Sequence, residues 1–147
     1  MSSKVEDFLS AQDETRVVEA IRIAESNTSG EIRVHLENSA KDMNAFDRAA
    51  QVFDFLHMNN TKHSNGVLIY VAVADKTLVI MGDKGINNVV PSNFWESTKD
   101  IIISHFKNNQ IAQGLVDGVL NAGKQLQEHF PRTSNDVNEL GDTISVG

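Results

Sequence analysis

The chain of 147 residues contains no cysteine, only two prolines and a single tryptophan, Trp95. The absence of cysteine excludes disulfides, thiolate zinc sites and thiol catalysis. The longest apolar run, residues 67–74, is far too short to cross a bilayer, and the first residues contain no apolar segment typical of a secretory signal. We therefore expect a soluble, cytoplasmic protein without a membrane anchor.

Positive charge is also scarce in this sequence. Lys and Arg number 13 against 20 Asp and Glu, which gives a formal net charge of -7, and the basic residues are scattered singly. Because a polyanion is bound through clustered cations, we expect no nucleic-acid partner. The surplus of carboxylates is compatible either with a plain acidic surface or with a divalent cation as ligand.

The usual catalytic motifs are missing as well. The sequence has no Walker A loop, no G-x-G-x-x-G, no H-E-x-x-H, no G-x-S-x-G and no EF-hand loop. No two of the five histidines stand four residues apart on one predicted helix, which disfavours a histidine-based zinc site. Any functional site must therefore be sought in residues that the fold brings together.

The hydrophobic pattern predicts a single α/β domain over residues 1–131, followed by a polar and mobile tail over residues 132–147. Residues 31–37 alternate strictly between polar and apolar side chains, as a half-buried strand does. Residues 67–74 are apolar on both faces and predict the central strand, and residues 77–81 predict the returning strand. With a helix between the first two strands, this order gives a right-handed βαβ unit followed by a hairpin.

Four helices are predicted from apolar residues at helical spacing. The first follows Ser10 as N-cap, the third follows Ser92 as N-cap, and the fourth begins near Ile111. The second has an apolar face made of Phe46, Ala49, Ala50, Phe53 and Leu56. Three glycines inside the fourth helix indicate close approach to another element, because glycine otherwise costs about 1 kcal/mol against alanine there.

The predicted topology brings three polar turns to one edge of the sheet, each with a glycine. Glu31, Asn65 and Asp83 stand in these turns and offer the hard oxygen ligands that calcium prefers. Asp117, in the last helix, is a fourth candidate ligand. The simpler alternative is that these residues only form turns.

Two other arrangements of carboxylates remain open. Glu37 and Asp75 lie at the opposite edge of the predicted sheet, but no glycine-rich turn accompanies them, so they rank lower as a cation site. Glu31 and Asp83 could alternatively serve a hydrolase as a pair of carboxyl groups. That use requires one of them to have a raised pKa in an apolar pocket.

Four segments occur in series along the chain: SGEIRV at 29–34, NGVLIYV at 65–71, IMGDKGI at 80–86 and GLVDGV at 114–119. Together they resemble the TPM-domain family, known from the thylakoid lumen, photosystem repair and receptor modulators. The resemblance implies a three-layer α/β/α sandwich, in which about four helices flank a small mixed β-sheet. It also implies a function among calcium or magnesium binding, acid phosphatase activity in thylakoid repair, and membrane-associated accessory roles.

We expect a divalent-cation binding domain that takes calcium or magnesium and acts as an accessory or regulatory module, and this expectation favours binding over enzymatic catalysis. One alternative is a metal-dependent acid phosphatase that uses the same acidic residues. The other is a protein-interaction domain without catalysis, for which Phe94 and Trp95 are the candidate apolar patch. The helical spacing around Trp95 favours burial in the core instead.

Overall fold

A computed structural model describes residues 7–132 and 144–146. Within these ranges, none of the helices is both long enough and apolar enough to cross a bilayer. The elements in chain order are α1 (Ala11–Glu25), β1 (Glu31–Glu37), α2 (Ala45–Phe55), β2 (Gly66–Ala72), β3 (Thr77–Gly82), α3 (Lys84–Asn87), α4 (Glu96–Phe106), α5 (Ile111–His129) and β4 (Ser145–Val146).

The four strands form one mixed sheet in the order β3-β2-β1-β4. β1 and β2 are parallel, β3 is antiparallel to β2, and the short β4 is parallel to β1. The register pairs Glu31 with Gly66 and Val67 with Gly82. The starts of β1 and β2 and the end of β3 therefore meet at one edge, as the sequence predicts.

The sheet is covered by helices on both faces, which confirms the predicted α/β/α arrangement. The larger core lies between the sheet and α1, α4 and α5, and it contains Ile32, Val34 and Leu36 from β1. A smaller core on the other face contains Leu68 and Tyr70 from β2, packed against α2. The alternation of β1 and the doubly apolar sequence of β2 both follow from these two cores.

The glycines of α5 mark the close helix contacts that the sequence predicts. A Cβ atom placed on Gly123 would lie 2.6 Å from Cβ of Ala24 in α1. One placed on Gly118 would lie 2.4 Å from Cγ1 of Ile102 in α4. α5 can therefore approach both neighbouring helices only because these positions lack a side chain.

Several helix details differ from the predictions. α4 begins after Trp95 and not after Ser92, because the preceding residues form hydrogen-bonded turns from Pro91 to Phe94 and from Asn93 to Glu96. Phe46, predicted on the buried face of α2, is 64% exposed. The short helix α3 was not predicted, since four residues are too few to show a helical period.

The C-terminal residues 144–146 return to the sheet, which differs from the mobile tail expected there. Ile144 is 7% exposed and belongs to the larger core. Ser145 and Val146 pair with His35 and Leu36 of β1. This pairing joins residues 110 positions apart, and local sequence patterns carry no information about it. The rest of the predicted tail, residues 133–143 and 147, lies outside the described residues.

The Glu25 side chain hydrogen-bonds to the side of β1 that faces β4, at a position that the short β4 does not pair with. The Glu25 carboxylate, at the end of α1, accepts a hydrogen bond of 2.7 Å from the backbone N–H of Ile32. Both Glu25 and Ile32 are buried. The carboxylate thus satisfies a strand donor that has no neighbouring strand at this position among the described residues.

Candidate functional site

The three predicted turns are held side by side by backbone hydrogen bonds. The N–H of Glu31 donates to the carbonyl of Asn65 at 3.3 Å, and the N–H of Asp83 donates to the carbonyl of Gly66 at 2.9 Å. The N–H of Gly85 donates to the carbonyl of Ser64 at 2.8 Å. Together these bonds bring the segments that carry Glu31, Asn65 and Asp83 to one edge of the sheet.

Two of these residues contain a buried oxygen atom with no hydrogen-bond partner. Asn65 is fully buried; its Nδ2 donates to Ser29 Oγ at 3.3 Å, whereas its Oδ1 has no partner. Asp83 is 8% exposed; its Oδ1 accepts from the N–H of Lys84 at 2.8 Å and caps α3, whereas its Oδ2 has no partner. Leaving such a group unsatisfied costs about 1–3 kcal/mol.

Few side chains at this edge offer oxygen atoms that could bind a metal ion. Glu31 is buried there with Asn65 and Asp83, so the set has two carboxylates and one amide oxygen. Over residues 7–132 and 144–146, no three or more His, Cys, Asp or Glu side chains cluster closely enough to hold a metal by themselves. Calcium takes six to eight oxygens, so water or backbone carbonyls would have to complete its coordination.

Gly85 lets the loop before β2 pack directly against the segment after β3. A Cβ atom at this position would lie 2.3 Å from the carbonyl oxygen of His63 and 2.4 Å from that of Ser64. Any side chain here would push the two segments apart. The glycine therefore helps to keep Asn65 and Asp83 close to each other.

Asp117 does not join the other three predicted ligands. Its carboxylate is hydrogen-bonded to His105 Nε2 at 3.0 Å and to Gln113 Nε2 at 2.9 Å. The part of α5 that reaches the edge with Glu31, Asn65 and Asp83 lies nine residues after Asp117, where Leu126 approaches Gly30. At 1.5 Å per residue, Asp117 lies about 13 Å back along the helix. The sequence did not reveal how far along the sheet each turn of α5 lies.

At the opposite edge, Glu37 is the centre of a buried polar network. Its two oxygens accept from Arg48 Nε at 2.8 Å and Nη2 at 2.9 Å. They also accept from the Tyr70 hydroxyl and form a contact of 3.0 Å with His35 Nε2. His35 Nδ1 lies 2.9 Å from Ser145 Oγ, which links β4 to the same network.

The network fixes the protonation of its members. Burial acts to raise the pKa of the Glu37 carboxyl, but the hydrogen bonds from Arg48, Tyr70 and His35 outweigh it and lower that pKa to about 2. Burial and the neighbouring Glu37 raise the pKa of Tyr70. Burial lowers the pKa of His35, against the opposing effect of Glu37. The network is therefore an ion pair of Glu37 with Arg48, bordered by neutral groups at pH 7.

The two carboxylates of the second predicted pair, Glu37 and Asp75, differ in burial and in hydrogen bonding. Both oxygens of Glu37 are occupied within its network, whereas Asp75 is exposed and accepts from the N–H of Ala40 at 3.4 Å. Sequence reasoning missed the network itself. The available signal was that His35 and Glu37 share one face of β1, beside the position where β2 supplies its only tyrosine.

Comparison with known proteins places this architecture in a family. The family described as the TPM domain, whose name includes the word phosphatase, matches residues 3–125. None of the curated proteins compared with the chain is a significant match.

Solved structures give the same indication. The BA42 protein of the psychrophilic bacterium Bizionia argentinensis is 56% identical, with a TM-score of 0.91, over 98% of this chain and 99% of that one. An N-terminal domain from P. gingivalis has 21% identity and a TM-score of 0.69, over 86% of this chain and 83% of that one. An N-terminal domain from Corynebacterium glutamicum has 11% identity and a TM-score of 0.65, over 90% and 81%, so both domains share the fold.

Proposed function

Because the chain belongs to the TPM-domain family, we propose that it binds a divalent cation, calcium or magnesium, at the edge that contains Glu31, Asn65 and Asp83. In this proposal the domain acts as an accessory or regulatory module. The cation is the ligand whose chemistry matches two carboxylates and an amide oxygen.

The observation that supports the proposal is the pair of buried, unpartnered oxygens, Asn65 Oδ1 and Asp83 Oδ2. A turn that serves only to connect strands is not expected to bury unpartnered oxygens, because each one lowers the stability of the folded state. A bound cation would offset that cost at both atoms. It would also be attracted by the negative charge of the Glu31 and Asp83 carboxylates.

The expected affinity is weak. With three side-chain donors, the site resembles an open turn more than a dedicated cage, and we expect a Kd on the order of 10⁻⁴–10⁻³ M. A cation that binds only the folded state adds RT ln(1 + [L]/Kd) to stability, which is about 2.7 kcal/mol at a hundredfold excess over Kd.

The test is a calcium and magnesium titration of metal-stripped protein, followed by NMR and by the melting temperature. Asp83→Asn should weaken binding and reduce the calcium-induced rise in melting temperature. Asparagine is also a good N-cap, so this change removes the charge while it preserves the cap of α3. Asp75→Asn and Asp117→Asn are matched controls, because each removes one carboxylate elsewhere.

The controls should titrate like the unmodified protein. If Asp117→Asn abolishes the response and Asp83→Asn does not, the site is misplaced. A titration that stays flat into the millimolar range would remove the metal-binding proposal.

A metal-dependent acid phosphatase is the second candidate, supported only by the family's name. It would use the same acidic residues, with a metal-bound water as nucleophile. A turnover assay on a generic phosphomonoester, with and without calcium or magnesium, separates it from simple binding. Loss of turnover in Asp83→Asn would support the enzyme, and no turnover in the metal-loaded protein would exclude it.

A pure protein-interaction domain has less support at the predicted patch. Trp95 is buried, and its ring packs edge-to-face on Phe94 at 4.7 Å between centroids. The large apolar side chains that are exposed on α2 are instead Phe46 and Phe55.

A further inference from the structure

A cavity of about 500 Å³ lies between α2 and the paired strands β1 and β4. It is at the end of the sheet opposite to the proposed cation site. The volume is within the range of pockets that hold small organic molecules. Its lining residues are His35, Lys41, Arg48, Gln51, Val52, Phe55 and Val146.

One side of the cavity is apolar. Val52 of α2 and Val146 of β4 line its wall, and Phe55, which is 80% exposed, lines it from the end of α2. An apolar group that enters the cavity would cover the exposed ring of Phe55 and remove its apolar surface from water, which favours binding. The cavity therefore suits a ligand that has a hydrocarbon body.

The other side of the cavity is cationic. Arg48 uses Nε and Nη2 for Glu37 and Nη1 for Gln51, so two of its five N–H donors remain for another acceptor. Glu37 balances the charge of Arg48. Lys41 forms no ion pair within residues 7–132 and 144–146, so the lining has one positive charge in excess.

We propose that this cavity binds a small organic carboxylate with an apolar body, of the size of a medium-chain fatty acid. The carboxylate would accept from the remaining Arg48 donors and from Lys41, while the hydrocarbon would lie against Val52, Phe55 and Val146. A monoanion matches the single excess charge. A phosphate dianion has no apolar part to pack against Val52, Phe55 and Val146. Its two negative charges would also be repelled more strongly by the Glu37 carboxylate than the single charge of a carboxylate ligand.

The test uses the full chain in metal-free buffer, with octanoate as the probe and amide shifts measured by NMR. We expect saturable shifts at Gln51, Val52 and Val146. Octanol, octyltrimethylammonium and inorganic phosphate are the comparison probes, and each should bind more weakly than octanoate. Equal binding of octanol would show that only apolar contact matters, and it would overturn the proposal, as would a lack of saturation with octanoate.

Variants locate the charge that recognises the ligand. Lys41→Gln should weaken octanoate binding roughly fivefold, the order expected for one partly exposed ion pair. Lys124→Gln, on the exposed side of α5, removes the same charge from a distant place and should have no effect. Equal affinity in both variants would contradict a role for Lys41. Asp83→Asn should leave octanoate binding unchanged, which keeps this result independent of the proposed cation site.

Discussion

At the scale of single residues, Glu37 is a buried carboxylate whose charge is stabilised from several directions. Its pKa of about 2 lies below its ordinary value of 4.5. The unfolded chain therefore binds a proton at Glu37 before the folded chain does. The stability that this group contributes is complete above about pH 4.5 and is lost as the pH falls toward 2.

We predict that Glu37→Gln lowers the free energy of unfolding by about 3 kcal/mol at pH 7, because it removes the charge that balances Arg48. The difference from the unmodified protein should shrink between pH 4.5 and pH 2. Urea denaturation over this pH range measures it.

Glu19→Gln is the control for that experiment. Glu19 forms an exposed pair with Arg22, and exposed pairs contribute little to stability. A pH profile of Glu37→Gln that runs parallel to that of the unmodified protein down to pH 2 would contradict the role given to Glu37.

Asp83 shows what the sequence can and cannot reveal about one residue. Its position after a strand and beside two glycines was enough to predict that it lies at the edge with Glu31 and Asn65. Its second role, the cap of α3, depends on a helix that is too short to leave a hydrophobic period. The Glu37 network was missed for another reason, since its bonds join residues from four separate elements.

At the scale of elements, strands were easier to predict than helix starts. The bounds of β1, Glu31–Glu37, agree with the alternation in the sequence, because one face of the strand packs in the larger core and the other carries polar side chains. The start of α4 was misplaced, because Ser92 looks like a cap in isolation. In the fold, the residues after it form turns that lead to the buried Trp95.

The packing of α1 against α5 makes a prediction for Gly123. Gly123→Ala should gain up to about 1 kcal/mol of helix propensity but lose more through overlap with Ala24, because the two Cβ atoms would be 2.6 Å apart. We expect a net destabilisation of about 1–2 kcal/mol, measured by thermal or urea unfolding.

The double variant Gly123→Ala with Ala24→Gly exchanges the small residue between the two helices. It should be more stable than the sum of the two single changes predicts, which a double-mutant cycle measures. If the two changes are additive, the contact between α1 and α5 does not limit stability at this point.

At the scale of the whole molecule, the C-terminal segment closes the fold. Ile144 is buried in the larger core, and Ser145 contacts His35. Truncation after Arg132 should therefore destabilise the protein by roughly 2–4 kcal/mol, of which burial of one isoleucine accounts for about 1.5–3 kcal/mol.

A fall in melting temperature measures this effect. Ile144→Ala in the full chain should reproduce much of the loss, because it removes the buried side chain and keeps the backbone. An unchanged melting temperature after truncation would instead support the polar, mobile tail that the sequence predicts.

The net charge of the molecule also gives a prediction. With 20 acidic against 13 basic residues, the chain should not bind duplex DNA even at low salt, where non-specific binding is strongest. A mobility-shift assay in low salt checks this expectation, and micromolar affinity there would contradict it.

The hydrogen bond from Ile32 to Glu25 has a consequence for self-association. An edge strand with free donors can recruit a strand of another copy and so begin aggregation. Here a carboxylate occupies the donor of Ile32, and β4 pairs with His35 and Leu36 further along the same strand. A strand from a second molecule would have to displace both a buried charge and a segment of the chain itself. The fold therefore carries its own barrier to polymerisation along β1, at the edge where its sheet would otherwise be open.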